Sequence, residues 1–254
     1  MKQNLKIPLF LVILASAANP VFSQGLTATD IIRKADEKYN GEKSSYSIMS
    51  MTIVRPAWQR TIEIKSWSLE RDYALALITA PPKEAGQAFL KRGSEMWSWN
   101  PSISRLIKLP PSMMSQGWMG SDYTNDDILR ESSLVNDYMH EIIGEEKIDG
   151  LLCYKINMTA KPDASIVWGK QIRWIEKKDF LVLKVELYDE DGYLVRTETG
   201  SDIKIMDGRT ITTKIVLVPE EDPENKTILE IRDIKFNLPV GETFFSQQNM
   251  KRVR

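Results

Sequence analysis

Polar and apolar residues alternate along most of the chain from Ser44 onward, in short segments separated by turn-forming or charged residues. Ile62 and Ile64, for example, alternate with Glu63 and Lys65. A period of two is typical of strands that bury one face and expose the other. Such segments predict roughly ten or eleven strands; the clearest are SYSIMSMTIV, QRTIEIKSWSLE, YALALITA, GQAFLKR, SEMWSWN, KQIRWIEK, FLVLKVELYD, YLVRTETGSDIKIM, RTITTKIVLVP and TILEIRDIKFNL.

Three Asp-Gly pairs separate segments with strand character in the second half of the chain. They are Asp149-Gly150, Asp191-Gly192 and Asp207-Gly208. Both positions of a tight two-residue hairpin take positive φ, which Asp and Gly tolerate well. The pairs therefore predict antiparallel strands in up-and-down order.

Two segments interrupt the strand pattern with helical signals. The segment LTATDIIRKADEKYNG has Thr27 as a cap, Asp30 three residues later, apolar residues at helical spacing and Gly41 as a stop. A second helix is predicted to open at Thr124, with Asp127 at the equivalent capping position.

A sheet of this many strands has to curl around its apolar face. We therefore predict a mainly β fold, a half-open antiparallel β-barrel with helices packed against or closing the concave face. The interior of such a barrel is either plugged or left as a cavity. No internal repeat or linker indicates a domain boundary, so residues 24–254 are expected to form one domain.

The stretch from Phe89 to Asn125 combines large apolar side chains with many prolines and glycines. Large apolar residues thus stand where a loop is expected. Two interpretations stay open: an adaptable Met-rich lid or mouth for an apolar ligand, or a loop folded back over its own core. The candidate ligand-binding residues are Phe89, Met96, Trp97, Trp99, Met113, Met114, Trp118 and Met119. Arg92, Arg105 and Lys108 flank them as candidate polar anchors, with plain solvated charge as the alternative.

The first 23 residues are typical of a secretory signal peptide. A basic start, MKQNLK, is followed by the apolar run IPLFLVILASAA and by NPVFS, with cleavage expected before Gln24. No cysteine stands directly after the apolar run, so acylation of the bacterial lipoprotein kind is not expected. The predicted location is the periplasm.

Charge and cysteine usage exclude some classes of function. Without Lys2 and Lys6 the chain carries 32 Lys and Arg against 35 Asp and Glu, with the signs mixed throughout, so no nucleic-acid partner is indicated. The one cysteine, Cys153, permits neither a disulfide nor a thiolate zinc site, and a small buried side chain is the simplest interpretation.

Catalytic motifs are missing from the sequence. His140 is the one histidine, and the chain contains no GxSxG, HExxH or phosphate-binding glycine-rich loop. Adjacent carboxylates such as Asp126-Asp127 and Glu145-Glu146 are explained by capping or solvation. We expect neither an enzyme nor a metal site or cofactor.

The order of these features resembles the outer-membrane lipoprotein-sorting family, the LolA/LolB-like periplasmic carriers. The resemblance rests on the first helix, MWSWNP (Met96 to Pro101) followed by SRLIKLP, GSDYTNDDIL (Gly120 to Leu129), and FNLPVGETFF (Phe236 to Phe245). The chain is similar to a longer, divergent branch that carries the SDYT segment.

The resemblance implies a half-open barrel whose apolar cavity holds the acyl chains of lipids or lipoproteins and moves them toward the outer membrane. It implies an inner-membrane transporter or exporter as partner, and peripheral contact with a membrane. The alternative is a non-enzymatic interaction module accessory to an envelope exporter or membrane complex.

If the signal peptide is cleaved, cell fractionation should recover a processed protein that begins near Gln24 in the soluble periplasmic pool. Amino-terminal sequencing of the purified protein checks the cleavage site. An uncleaved form held in the inner membrane would contradict the prediction.

Overall fold

The computed structural model describes residues 25–40, 43–129, 133–164 and 166–254. The predicted signal peptide and the predicted helix stop at Gly41 lie outside these ranges. Among the helices that the described residues form, none has the length and hydropathy needed to cross a membrane.

All strands in the described ranges join one antiparallel sheet, which confirms the mainly β, open half-barrel prediction. There are thirteen strands rather than ten or eleven. The pattern concealed some of them because β6 is only four residues long and β7 buries few side chains. The strands are β1 (Ser44–Arg55), β2 (Trp58–Leu69), β3 (Tyr73–Ala80), β4 (Ala88–Arg92), β5 (Glu95–Asn100), β6 (Arg105–Lys108), β7 (Tyr138–Ile148), β8 (Leu151–Ala160), β9 (Lys170–Glu176), β10 (Val182–Tyr188), β11 (Leu194–Met206), β12 (Arg209–Pro219) and β13 (Lys226–Phe236).

The sheet consists of two meanders joined through its first and last strands. The order is β6-β5-β4-β3-β2-β1-β13-β12-β11-β10-β9-β8-β7, with β1 paired to β13. The edge strands β6 and β7 are therefore consecutive in the chain. Residues 109–129 follow β6 at one edge of the sheet, and residues 133–137 precede β7 at the other.

Two of the three Asp-Gly pairs form the predicted tight turns. Asp149 and Gly150 have φ of 48° and 81° between β7 and β8, and Asp207-Gly208 connects β11 to β12 in the same way. Asp191-Gly192 lies in a longer turn between β10 and β11, where of the two only Gly192 has positive φ.

Both predicted helices form, and both are capped as expected. In α1 (Ala28–Asn40), the Asp30 backbone N–H donates to Thr27 Oγ1 at 3.1 Å, and the Asp30 carboxylate accepts from the Thr27 backbone N–H at 3.2 Å. In α2 (Asn125–Leu129), Thr124 and Asp127 make the same reciprocal pair at 3.1 and 2.6 Å. These boxes satisfy donors that a helix start leaves open.

The two faces of the sheet are covered by different parts of the chain. We call inner the face against which α1 and residues 109–129 pack. On β3, Ala76 and Ile78 lie on the inner face, and Leu75 and Leu77 on the outer face. The outer face of β3–β5 is covered by the carboxyl-terminal segment, where Phe245 lies before the short helix α3 (Gln247–Met250).

Candidate ligand-binding cavity

A cavity of about 410 Å³ lies between the inner face of the sheet and its two covers. One cover is α1, which contributes Ile32, Ala35 and Tyr39 to the lining. The other is residues 109–129, which we call the crossing segment. The lining is mainly apolar in surface, and a volume of this size is typical of ligand pockets.

Small side chains on neighbouring strands create the space for the cavity. Ser45 pairs with Ser68 and Ser47 with Ser66 between β1 and β2. Ser66 and Ser68 in turn face Ala76 and Ala74 of β3. We call these six residues the trough: Ser45, Ser47, Ser66, Ser68, Ala74 and Ala76, all of which line the cavity. Because none of them extends beyond one heavy atom from Cβ, the sheet cannot fill the volume above it.

The trough changes character along the strands. Toward one end it continues into Met49 and Ile64, which pair with each other and are packed by the apolar core. Toward the other end lie Arg71 and Lys91, which also line the cavity. The cavity therefore has an apolar end and a polar end.

Charged groups at the polar end join α1 to the sheet. Asp36 of α1 is buried and forms an ion pair with Arg71, which follows β2. Lys91 of β4 is buried and donates to the Arg71 backbone carbonyl. Arg71 Nη1 is buried and has no hydrogen-bond partner among the described residues. One guanidinium nitrogen at this end thus retains an unused donor.

Tyr39 fastens α1 at a second point. Its hydroxyl is hydrogen-bonded to the Thr212 side chain on β12. Burial raises the pKa of Tyr39 above its ordinary value. The hydroxyl therefore stays protonated across the physiological range.

The large apolar side chains of the crossing segment pack into the core. Trp118 is 1% exposed and Met114 is 6% exposed. The Trp118 ring meets Phe89 of β4 edge-on, with ring centroids 5.2 Å apart. Both belong to a cluster with Met51, Ile53, Ile62, Ile64, Ile78 and Leu217 from the inner face. Of the two interpretations of this stretch, the burial supports the loop folded over its own core.

Arg55 of β1 and Arg60 of β2 attach the crossing segment to the sheet. Arg55 forms a bidentate pair with Asp122, with Nη2 to Oδ1 at 2.8 Å and Nη1 to Oδ2 at 3.1 Å. Thr227 of β13 also donates to this carboxylate, at 2.7 Å. Arg60 donates to the backbone carbonyl of Met119 and to Glu84. These charge-assisted bonds satisfy backbone and side-chain oxygens that the loop would otherwise leave open.

Arg196 of β11 makes the most buried of these attachments. Its Nη1 donates to Asp127 of α2 at 2.8 Å, and its Nη2 to Glu198 at 3.0 Å. The guanidinium carbon lies 4.5 Å from the centroid of the Trp168 ring, whose Nε1 donates to Asp127 at 2.9 Å. The capping carboxylate of α2 is thus also its anchor to the sheet.

The charged groups in this network shift one another's pKa values. Burial alone would raise the pKa of the Asp127 carboxyl, but the Arg196 charge and the hydrogen bonds from Arg196, Thr124 and Trp168 lower it below its ordinary value. Burial raises the pKa of Glu198, which Arg196 offsets only in part. Arg196 remains charged because both carboxylates favour the cation.

The candidate residues from the sequence divide between the two faces. Trp118 alone among the eight lines the cavity. Phe89, Met96 and Met114 are buried behind it, and Met113 and Met119 pack against the same cluster. Trp97 and Trp99 lie on the outer face with Phe245 and Met250, away from the cavity. Met96 and Trp97 are separated in this way because successive strand residues point to opposite faces.

The candidate polar anchors do not reach the cavity. Arg92, Arg105 and Lys108 are absent from its lining, and Lys108 pairs instead with Glu95 on the exposed surface of β5. The cations that do line the polar end, Arg71 and Lys91, were not among the sequence candidates. The trough was also missed, since serine at alternate strand positions has the pattern of a solvated face.

The surroundings of His140 and Cys153 indicate structural roles for both side chains. His140 is half-buried, with Nδ1 3.1 Å from Thr29 Oγ1 of α1 and Nε2 2.6 Å from the Leu134 carbonyl oxygen. Burial lowers the pKa of His140, so the ring is neutral at pH 7. Cys153 is fully buried, and burial raises the pKa of its thiol. Among the described residues, no group of three His, Cys, Asp or Glu side chains is arranged to hold a metal ion.

Comparison with known families adds to this geometry. A family model described as an uncharacterized protein matches residues 70–252. The chain belongs to this family. No curated protein sequence matches the chain.

Solved structures share the fold over most of the chain. A LolA superfamily protein from Nitrosomonas europaea is 25% identical with a TM-score of 0.76, covering 88% of this chain and 99% of its own. A domain from Vibrio parahaemolyticus, described as an outer membrane lipoprotein-sorting protein domain, is 23% identical with a TM-score of 0.78 and coverages of 89% and 98%. A DUF1329 family protein from Desulfovibrio piger is 22% identical with a TM-score of 0.80 and coverages of 88% and 97%. The resemblance to lipoprotein-sorting proteins is confirmed in the fold.

Because Met114 and Trp118 are core residues, replacing both by Ser should destabilise the protein strongly. Large-to-small changes at buried Met or Trp cost about 2 to 5 kcal/mol each, enough to lower the melting temperature by several degrees. The matched control is the double variant Trp58→Ser and Met139→Ser, whose side chains are 49% and 53% exposed and should tolerate the change. An unchanged melting temperature in the Met114 and Trp118 variant would return the segment to the role of a lid.

Replacing Asp127 by Asn should lower the free energy of unfolding, because the buried Arg196 cation then loses one of its two carboxylate partners. Breaking a buried pair from one side costs about 3 kcal/mol or more, measurable by urea unfolding. The control is Glu63→Gln, which breaks the exposed Arg232–Glu63 pair and should cost at most about 1 kcal/mol.

The pH dependence of stability provides a second test of Asp127. A carboxyl whose folded-state pKa is lowered stabilises the fold above its unfolded pKa, and this contribution disappears as the pH falls through the folded pKa. The difference in unfolding free energy between wild type and Asp127→Asn should therefore shrink in acid. A constant difference from neutral to strongly acidic pH would contradict the pairing with Arg196.

Proposed function

We propose that the protein is a periplasmic carrier that binds the acyl chains of lipids or lipoproteins in the cavity between α1, the crossing segment and the sheet. The observation that carries the proposal is the cavity itself: about 410 Å³, mainly apolar and bounded on one side by the trough. The fold shared with a lipoprotein-sorting domain and a LolA superfamily protein supports the proposal. Residues 24–254 then act as one carrier domain after removal of residues 1–23.

The energetics of such a carrier constrain the cavity. Burying a methylene is worth about 0.8 kcal/mol. For a chain of about 16 carbons to leave a bilayer, its burial in the cavity must therefore contribute on the order of 10 kcal/mol of favourable free energy. A carrier has to approach this value without exceeding it greatly, since it must also release the chain. A lining that mixes Ile, Met and Val with serine hydroxyls gives a burial free energy between that of water and that of a fully apolar interior.

The cover formed by α1 suits exchange of a ligand. Its contacts with the sheet at the cavity include Asp36–Arg71 and Tyr39–Thr212, which can re-form after the helix moves. The helix also buries Ile31, Ile32 and Ala35 in an apolar cluster on the sheet. The crossing segment has an apolar cluster as well, and in addition three arginine anchors. In this proposal the ligand enters beside α1, and the crossing segment is a fixed wall.

A second candidate function is that of an interaction module accessory to an envelope exporter or membrane complex. The edge strand β7 and its neighbour β8 favour it, because they expose Met139, Ile142, Ile143, Leu151 and Leu152. Exposed apolar residues along an unpaired strand edge are typical of surfaces that bind other chains. Under this alternative the cavity need not hold a ligand.

Mass spectrometry of solvent extracts from the gently purified protein separates the two functions. A carrier should release co-purifying lipid in near-stoichiometric amount, because an apolar cavity open to membranes does not stay empty. A second periplasmic protein purified from the same fraction is the control for adventitious lipid. Absence of lipid, both as isolated and after incubation with added lipid, would overturn the carrier function and favour the interaction module.

A further inference from the structure

The volume of the cavity limits how many acyl chains it accepts. At the packing density of protein interiors a methylene takes roughly 25 Å³. A volume of about 410 Å³ therefore holds about 16 methylenes, which is one long acyl chain. A diacyl phospholipid would need twice this volume and a triacylated lipoprotein three times.

The polar end of the cavity indicates what kind of head group the bound acyl chain carries. A continuous row crosses three strand pairs there, from Ser45 through Ser68 and Ala74 to Lys91. Arg71 lies beside this row, with Nη2 on Asp36 and Nη1 without a partner among the described residues. A buried N–H without an acceptor is costly, and an oxygen of a ligand would relieve the cost.

We propose that the cavity takes one single-chain amphiphile, with its acyl chain along the trough and an acidic head group at the end formed by Arg71 and Lys91. This inference rests on the carrier function proposed above and names its cargo class. A carboxylate and a phosphate both provide the required anionic oxygens. The free fatty acid and the lysophospholipid are therefore the two sources to distinguish.

Native mass spectrometry of the delipidated mature chain tests the stoichiometry. The probes are palmitate, a 16-carbon lysophosphatidylglycerol, dipalmitoylphosphatidylglycerol and a triacylated lipopeptide. We expect one bound palmitate or one bound lysolipid per chain, and binding at least tenfold weaker for the two multi-chain probes. The stronger of the two single-chain probes identifies the head group.

The outcomes separate this inference from the carrier function on which it rests. Tight binding of the diacyl lipid or the lipopeptide, with weak binding of both single-chain probes, would overturn the single-chain inference and leave the carrier intact. Two or more palmitates per cavity at saturation would also overturn it. Failure of all four probes to bind would overturn the carrier function as well.

A chain-length series on the wild-type protein tests the volume without any substitution. Each added methylene should strengthen binding of a fatty acid about fourfold while space remains. The increase should stop near 16 carbons, where the cavity is full. Affinity that continues to rise well beyond this length, or that does not depend on length, would contradict the assignment.

Variants of the trough test whether the acyl chain binds along it. Ser66→Leu combined with Ala74→Leu fills the trough and should weaken palmitate binding more than tenfold. Thr79→Leu is the control, because Thr79 lies on the same strand as Ala74, is exposed and does not line the cavity. Unchanged binding by a folded trough variant would overturn the proposed location, and the melting temperature verifies folding.

Replacing Arg71 by Met tests the head-group contact. The substitution keeps an apolar stem but removes the guanidinium, so palmitate should bind about tenfold more weakly while hexadecanol, which has no negative charge, should change little. Arg232→Met is the control, since Arg232 also pairs with a carboxylate but is exposed and outside the cavity. Equal loss for palmitate and hexadecanol would contradict a charge contact.

Discussion

The two edge strands of the sheet, β6 and β7, are consecutive in the chain, and residues 109–129, which follow β6, pack across the inner face. This crossing provides most of the cover for β1–β4, and α1 covers the other half of the face. An exposed apolar inner face would not be stable in water, and α1 and the crossing segment provide the cover. The positions of the core, the cavity and the anchoring charges all follow from this connection.

The crossing segment has little regular structure, and it is held by side chains instead. Arg55, Arg60 and Arg196 reach it from three different strands. Burying these charges is costly, but each guanidinium is paired with a carboxylate or a backbone oxygen, which offsets the desolvation. The segment is consequently a fixed wall, and Trp118 closes the apolar end of the cavity as part of that wall. In the proposed carrier, motion for ligand exchange is therefore assigned to α1.

The cavity occupies the gap between the two covers, where the sheet presents serine and alanine in place of larger side chains. Its polar end lies beside Asp36, so the same ion pair that positions α1 also adjoins the proposed head-group site. An acidic head group on Arg71 Nη1 would share the guanidinium with Asp36, which holds Nη2. The proposed head-group site and the attachment of α1 to the sheet thus share one residue.

Local features of this protein were predictable from its sequence, because they depend on residues close together in the chain. Strand alternation, the capping boxes of Thr27 and Thr124, and the turn at Asp149-Gly150 are of this kind. The cavity was not predictable, since a serine that faces a buried trough and a serine that faces water have the same period. Only strand pairing across β1–β4, and the path of the crossing segment over them, decided that Trp118 borders the cavity while Trp97 lies on the opposite face.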